Sequence, residues 1–521
     1  MLSPDRKEAD VARGDRARPL LLALAIVVAA AAAPASAGAA TGIAWSACPG
    51  AAGAARLQCA RVHVPLDWSR PRGATITLPV IRHLASRRGR RIGSLFVNAG
   101  GATGSVAAVR TEGASLDALG AGRFDVVGWA LRGTGGSRVV RCFADERSRA
   151  RFWGGLPIAT THAEGLRSMS KAVAYARRCG RLSGSLLAHV STTDDARDLD
   201  YLRRLVGDRA LTYRAVSYGT FLGQTYAGLF PRRVRAMALD GLVDPRIVMQ
   251  GAEARFANTV AAMDRGLGWF ASRCAAAGPA RCALAGRGPV APRVSRLLAR
   301  LRRAPIPAPA AQPPGALRSG DVLTALFVNL TNPAAWPQLA AGLDRAEAGD
   351  GSALATQARA VLAGVRSVAG DSTPAITCTD SPARQGPRAW PQVIRRLTRV
   401  SAIGGPFVGW VSWAPCAAWP ARSADRYAGP WTTATPHPIL IIGTRFDPAT
   451  PYANARRVAR RLPRAVLLTH DGYGHTSDAD PSACVRRATR AYLVRLVTPP
   501  RGTVCPSDRL PFGPDSGPPL P

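Results

Sequence analysis

Apolar residues fall in short, regularly punctuated runs along most of this chain. Thr75–His83 (T-I-T-L-P-V-I-R-H) alternates in the way of a half-buried strand. Runs at 94–97, 124–129, 211–216, 235–239, 438–443 and 465–469 are apolar without a clean alternation. Strands of that kind are covered on both faces, as in a parallel sheet. Between them, residues 164–179, 195–206, 221–230 and 482–496 carry apolar positions at helical spacing. Strands alternating with helices predict an α/β fold with a mostly parallel central sheet. The pattern breaks after residue 245. Residues 250–430 read as helices and loops with no strand series, and the Pro-rich stretch 305–314 reads as an exposed linker. Residues 38–60 are rich in small residues and read as irregular, and the last dozen residues read as a surface tail. The predicted organisation is a leader at 1–37, a sheet core in two pieces at 38–245 and 431–521, and a large helical cap insertion at 246–430.

The leader comes from its own pattern. Arg6, Lys7, Arg13, Arg16 and Arg18 precede an apolar run over 20–33, followed by Pro34-Ala35-Ser36-Ala37. A basic region, a short apolar stretch and an A-x-A site predict a secretory signal, cleaved before Gly38. The run is shorter than the ~20 residues that span a bilayer. No later segment reaches that length, so no membrane span is expected after cleavage. Export makes disulfides the default for the ten cysteines. None falls in a C-x-x-C pair or a zinc-like spacing, so no metal or other cofactor is called for. Pairing of sequence neighbours gives Cys48 with Cys59, Cys142 with Cys179, Cys274 with Cys282, Cys378 with Cys416, and Cys484 with Cys505.

Composition adds one exclusion. The formal charge is +36, and only Lys7 and Lys171 are lysines. The arginines are scattered along the chain and aromatics make up only 6% of it. Nucleic-acid binders cluster their charge and interleave aromatics, so a solvated basic surface is expected and no nucleic-acid partner.

The candidate chemistry centres on Ala215-Val216-Ser217-Tyr218-Gly219, between a predicted strand and a predicted helix. This is a G-x-S-x-G nucleophile elbow with alanine in first place. A serine there sits at a helix N-terminus, where backbone N–H groups favour a developing oxyanion. A hydroxyl nucleophile needs a base, and the base an orienting carboxylate. His475, in the glycine loop Gly472-Tyr473-Gly474-His475-Thr476, is the expected base; His470 and His437 are the rivals. Asp447, just past the strand at 438–443, is the expected acid, with Asp240 as rival or as a turn cap. Oxyanion donors are expected from the N–H of Tyr218 and of Gly101, in Asn98-Ala99-Gly100-Gly101-Ala102-Thr103-Gly104.

Further stretches carry a resemblance. They include Val64-Pro65-Leu66-Asp67, Arg132-Gly133 with Gly136-Ser137, Asp195-Ala196-Arg197-Asp198-Leu199-Asp200 and Leu239-Asp240-Gly241. They continue with Gly443-Thr444, Asp447-Pro448-Ala449-Thr450-Pro451, Cys484 and Cys505-Pro506. With the elbow and the histidine loop, they make the chain from Trp45 to Phe512 resemble the secreted actinobacterial tripeptidyl aminopeptidases. That family is related to prolyl aminopeptidases within the α/β-hydrolases. The resemblance implies an α/β-hydrolase fold with the family's typical C-terminal domain, and its serine, aspartate and histidine fall on Ser217, Asp447 and His475.

The resemblance also implies a serine hydrolase acting on peptides or small esters; with the leader, a secreted protein is expected, extracellular or wall-associated, and a monomer. An aminopeptidase must hold a free ammonium, and Glu253 and Asp380 are the cap carboxylates considered for it. A carboxylesterase with the same triad, or a silent binding protein on the same scaffold, are the alternatives. Two departures are expected to matter. The family usually reads N-P-G-G-P-G-G in the oxyanion loop, so alanine at 99 and 102 and threonine at 103 predict a looser or re-aimed loop. It usually reads D-P-R-G where this chain has Ala130-Leu131-Arg132-Gly133, which predicts a different hold on Arg132.

Overall fold

The computed structural model describes residues 42–513, apart from 51–54, 137, 155–157, 161 and 383–384. The expected leader at 1–37 and the tail from 514 onward lie outside the described residues. In chain order the strands are β1 (Ser46–Ala47), β2 (Leu57–Pro65), β3 (Thr75–His83), β4 (Gly93–Asn98), β5 (Phe124–Trp129) and β6 (Leu211–Val216). They continue with β7 (Val234–Asp240), β8 (Ile306–Ala308), β9 (Gly315–Leu317), β10 (Leu440–Phe446), β11 (Val466–Tyr473) and β12 (Val504–Pro506).

Ten of them form one sheet in the order β1-β2-β3-β5-β4-β6-β7-β10-β11-β12. The edge formed by β1, β2 and β3 is antiparallel, and β3 meets β5 antiparallel. Every pairing from β5 to β12 is parallel. β4 and β5 are buried at every position, which explains their unbroken apolar character. Alternate residues of a strand feed two separate cores. Leu95, Val97, Leu440 and Ile442 pack in one, while Phe96 and Ile441 pack in the other.

Between β7 and β10 lies a helical insertion with its own apolar core. It includes Phe256, Val260 and Phe270 of the helix Ala252–Ala277, and Trp336, Trp390 and Leu397. The helix His162–Ser183, between β5 and β6, contributes Met169 and Ala172 to that core, so the insertion is built on two stretches of chain.

Three expectations are corrected. Residues 57–60 belong to β2 rather than to an irregular segment, and the strand buries Ala60, Val62 and Val64 on alternate positions. The Pro-rich stretch is not a free linker. β8 and β9 pair as a hairpin, with Ile306, Ala308 and Ala311 buried in the insertion core. The start of the C-terminal tail does not run along the surface: Phe512 is buried against Phe270 and Trp336. The ten cysteines form five disulfides, 48–59, 142–179, 274–282, 378–416 and 484–505. Among the described residues, no helix is long and apolar enough to cross a membrane.

Candidate active site

Ser217 follows β6 and opens the helix Tyr218–Leu229. Its φ of 52° lies in the left-handed region, which a serine enters only at a local cost. The turn is held from both ends: Ser217 N–H donates to the Asp240 carbonyl at 3.0 Å, and its own carbonyl accepts from Thr220 N–H at 2.9 Å. Gly219 is required by closeness, since a Cβ there would stand 2.6 Å from Asn98 Oδ1. Ala215 is fully buried in β6, opposite Asn98 of β4, so the elbow accommodates its methyl.

His475 follows β11, and Asp447 follows β10, the neighbouring strand. Asp447 is buried, and its carboxylate accepts from His475 Nδ1 at 3.0 and 3.2 Å. The same carboxylate accepts from Ala449 N–H at 2.7 Å, Thr450 N–H at 2.8 Å and the Thr450 hydroxyl at 2.9 Å. The Thr450 oxygen also lies 3.3 Å from His475 Nδ1. Burial pulls the imidazole pKa down, but the facing Asp447 carboxylate outweighs it and leaves the pKa above its ordinary value. The His475 side chain is 21% exposed, open enough to meet a ligand.

The rivals occupy other roles. His470 is wholly buried, with Nδ1 3.1 Å from the Thr444 hydroxyl, and burial pushes its pKa down to about 4. Asp240 points its carboxylate at Ser477 rather than at the His475 ring nitrogen that Asp447 holds.

The glycine loop after β4 lies against the serine: a Cβ on Gly100 would stand 3.1 Å from Ser217 Cβ. Gly100 N–H donates to Asn98 Oδ1 at 3.0 Å, so Gly101 N–H is the next donor along the loop. Where the family carries prolines, this loop is held by hydrogen bonds at its far end. Its Ala102 carbonyl accepts from the Ser372 hydroxyl at 3.0 Å, a group of the insertion, and Ser105 N–H donates to the Trp129 carbonyl at 2.9 Å. Arg132 is also fully held. It is buried, makes a two-pronged contact with Asp198 at 2.7 and 2.8 Å, and donates to the Leu66 and Pro65 carbonyls.

Two cavities meet at Ser217. The larger, about 710 Å³, is lined by the Asn98–Gly101 loop, His475, Thr331, Pro333 and the C-terminal residues Arg509 and Leu510. The smaller, about 380 Å³, lies between core and insertion, with Gly101, Tyr218, Val243, Phe256, Phe327 and Val408 in its wall. The structure brings neither Glu253 nor Asp380 to either cavity. Glu253 is engaged by Arg396, at 2.5 and 2.8 Å, and by Gln385. Asp380 is buried under Thr192, whose N–H and hydroxyl donate to it at 3.1 and 2.6 Å. Two contributors escaped the sequence reading. Thr450 stood within the Asp447 motif, three residues on, a spacing that lets a hydroxyl reach back to a carboxylate. Thr331, whose carbonyl accepts from His475 N–H at 2.7 Å, carries no sequence signal.

Comparison with known proteins places this arrangement. The alpha/beta hydrolase fold family matches residues 95–266, and the TAP-like protein family matches residues 405–505. Serine protease Hip1 of Mycobacterium tuberculosis is 32% identical over 469 residues, 86% of this chain and 87% of that protein. Tripeptidyl aminopeptidase of Streptomyces lividans is 30% identical over 466 residues, 86% of this chain and 83% of that protein. Carboxylesterase B of Mycobacterium tuberculosis is 31% identical over 480 residues, 86% of each chain. The chain is a serine hydrolase, and it belongs to the tripeptidyl aminopeptidase-like family of the α/β-hydrolases.

Proposed function

We propose that this chain is an exported serine aminopeptidase that releases short peptides, tripeptides or proline-type residues, from unblocked N-termini. Ser217 Oγ attacks the scissile carbonyl carbon while His475 takes its proton. Asp447 holds the imidazole, and the N–H groups of Gly101 and Tyr218 receive the oxyanion. The C–N bond then breaks as His475 returns the proton to the leaving amine. Water repeats the sequence on the acyl-enzyme and frees the N-terminal fragment.

The observation that carries this reading is the division of space at Ser217. His475 lines the larger cavity and not the smaller. The leaving amine must lie on the side of the group that protonates it, so it belongs in the larger cavity. The acyl part then occupies the smaller one, whose confined volume favours a short N-terminal fragment. Export is supported by the five disulfides, which persist in oxidising compartments.

A carboxylesterase is the second reading, favoured by the wall of that smaller cavity. Val243, Ile247, Val248, Phe256, Phe327 and Val408 are apolar. Among its described lining residues Asp244 is the only acid, and Arg457 and Arg461 already engage it at 2.9 and 3.0 Å. A matched pair of peptides differing only in an N-terminal acetyl group, run beside a nitrophenyl ester, separates the two. Faster cleavage of the free-amine peptide supports the aminopeptidase. Equal rates, or turnover of the ester alone, refute it.

A further inference from the structure

We propose that Asp240 is a positioning residue that fixes the separation of Ser217 and His475 by gripping the backbone on both sides. The inference rests on Ser217 and His475 forming the reacting pair. Asp240 ends β7, directly beside the end of β6. Its main-chain carbonyl accepts from Ser217 N–H at 3.0 Å, which sets the elbow. Its carboxylate Oδ2 accepts from Ser477 N–H at 3.0 Å and from the Ser477 hydroxyl at 2.6 Å. Ser477 stands two residues after His475, in the short helix Thr476–Ala479 that ends the histidine loop. One residue therefore ties the nucleophile's turn to the base's turn.

The next residue tightens the same joint. A Cβ at Gly241 would lie 2.6 Å from Thr476 Cγ2 and 3.3 Å from His475 Cε1. Backbone here runs directly against the imidazole, and the φ of 67° at Gly241 suits glycine.

The chemistry of the joint needs an acceptor, because Ser477 offers two donors. Asp240 is 1% exposed, and its Oδ1 has no hydrogen-bond partner among the described residues. A buried carboxylate with one bare oxygen is costly to hold. That cost is consistent with a carboxylate retained for the two bonds its other oxygen makes. The charged groups facing it are Arg214 of β6, Asp478 of the same short helix, and His475. Glu112, from the helix Val106–Leu119, acts on Arg214. Burial and the Asp478 charge push the Asp240 pKa up to about 7, against the Ser477 bonds and Arg214, and its negative charge helps to raise that of His475.

The test compares Asp240→Ala, Asp240→Asn and Ser477→Ala with the parent. Turnover of a nitrophenyl ester, the rate of Ser217 labelling by a fluorophosphonate and the melting temperature are read for each. Asn keeps an acceptor for Ser477 and loses the charge, whereas Ala loses both. Asp240→Ala is expected to lower kcat and the labelling rate about a hundredfold with KM little changed, since a misplaced reacting group costs that much. Asp240→Asn is expected to recover most of that loss. The acid limb of its kcat/KM profile should move to lower pH, because the imidazolium has lost a nearby negative charge.

Folded Asp240→Ala with the parent's kcat and labelling rate overturns the proposal. So does Asp240→Asn as impaired as Asp240→Ala, since charge rather than the grip would then matter. If Asp240→Ala does not fold, Ser477→Ala decides: about a tenfold loss of kcat supports the grip, and parental kcat refutes it. Failure of the underlying reading looks different, because Ser217→Ala would then keep its turnover and its label whatever Asp240 does.

Discussion

The main-chain N–H of His475 donates to the carbonyl of Thr331, 2.7 Å away, and so docks the candidate base on the helical insertion. The insertion thus does more than cover the serine, because it also fixes the loop that carries the imidazole. Gly474, one residue earlier, has φ of 82°, and a Cβ there would stand 2.5 Å from Pro333 Cδ and 2.8 Å from the Thr331 carbonyl oxygen. Gly474→Ala is expected to break the His475–Thr331 bond and lower kcat about a hundredfold. Steady-state kinetics on protein with an intact melting transition checks this, and parental kcat would show that the docking is dispensable.

The Asp447 carboxylate should matter through the imidazole tautomer it enforces. Asp447→Asn is expected to cut kcat by about 10⁴-fold, since an amide permits the wrong tautomer. In the parent, the raised His475 pKa places the acid limb of kcat/KM above the ordinary histidine value of about 6.5. Activity is lost below that limb, where the imidazole is protonated and cannot act as a base. A limb below that value would contradict the assignment of His475.

Much of this frame was legible in the sequence because both faces of the sheet are covered. β5 and β6 begin and end where their apolar runs do, and the strand-turn-helix around Ser217 could be read directly. β2 escaped because Arg61 and His63 interrupt its apolar positions, although the period of two was present. The β8–β9 hairpin was hidden by its prolines, which read as linker until Ile306 and Ala308 are seen to be buried. The helix Thr192–Leu205 starts earlier than its apolar spacing, because Ser191 and Asp194 form a capping box ahead of it. Glu253 and Asp380 could not be judged from sequence at all. Their partners Arg396 and Thr192 are far along the chain, and only folding brings them together.

Asp380 gives a prediction about stability. Burial pushes its carboxyl pKa up to about 7, well above the unfolded value of about 3.9. The folded state then binds an extra proton between those values, so this group's contribution to stability is lost as pH rises through 7. Asp380→Asn, neutral throughout, should therefore gain stability relative to the parent on going from pH 5 to pH 8. Melting temperatures of both proteins at the two pH values check it. A difference that does not change with pH would contradict the buried, raised carboxyl.

The disulfides predict a thiol count and a cost. Denatured, unreduced protein should show no free thiol, and two or more per chain would contradict the five pairs. Cys378 and Cys416 are both buried, and their bridge fixes the end of the helix Val368–Asp380. Replacing both by alanine should cost about 2–5 kcal/mol in denaturant unfolding.

The proposed chemistry turns on Ser217 acting as the nucleophile and His475 activating it. Labelling by a fluorophosphonate, followed by mass spectrometry of the digested protein, tests this most directly. One adduct is expected, on Ser217, formed at least about a hundredfold more slowly in His475→Ala and absent in Ser217→Ala. An adduct on another residue, or undiminished labelling without His475, would contradict it.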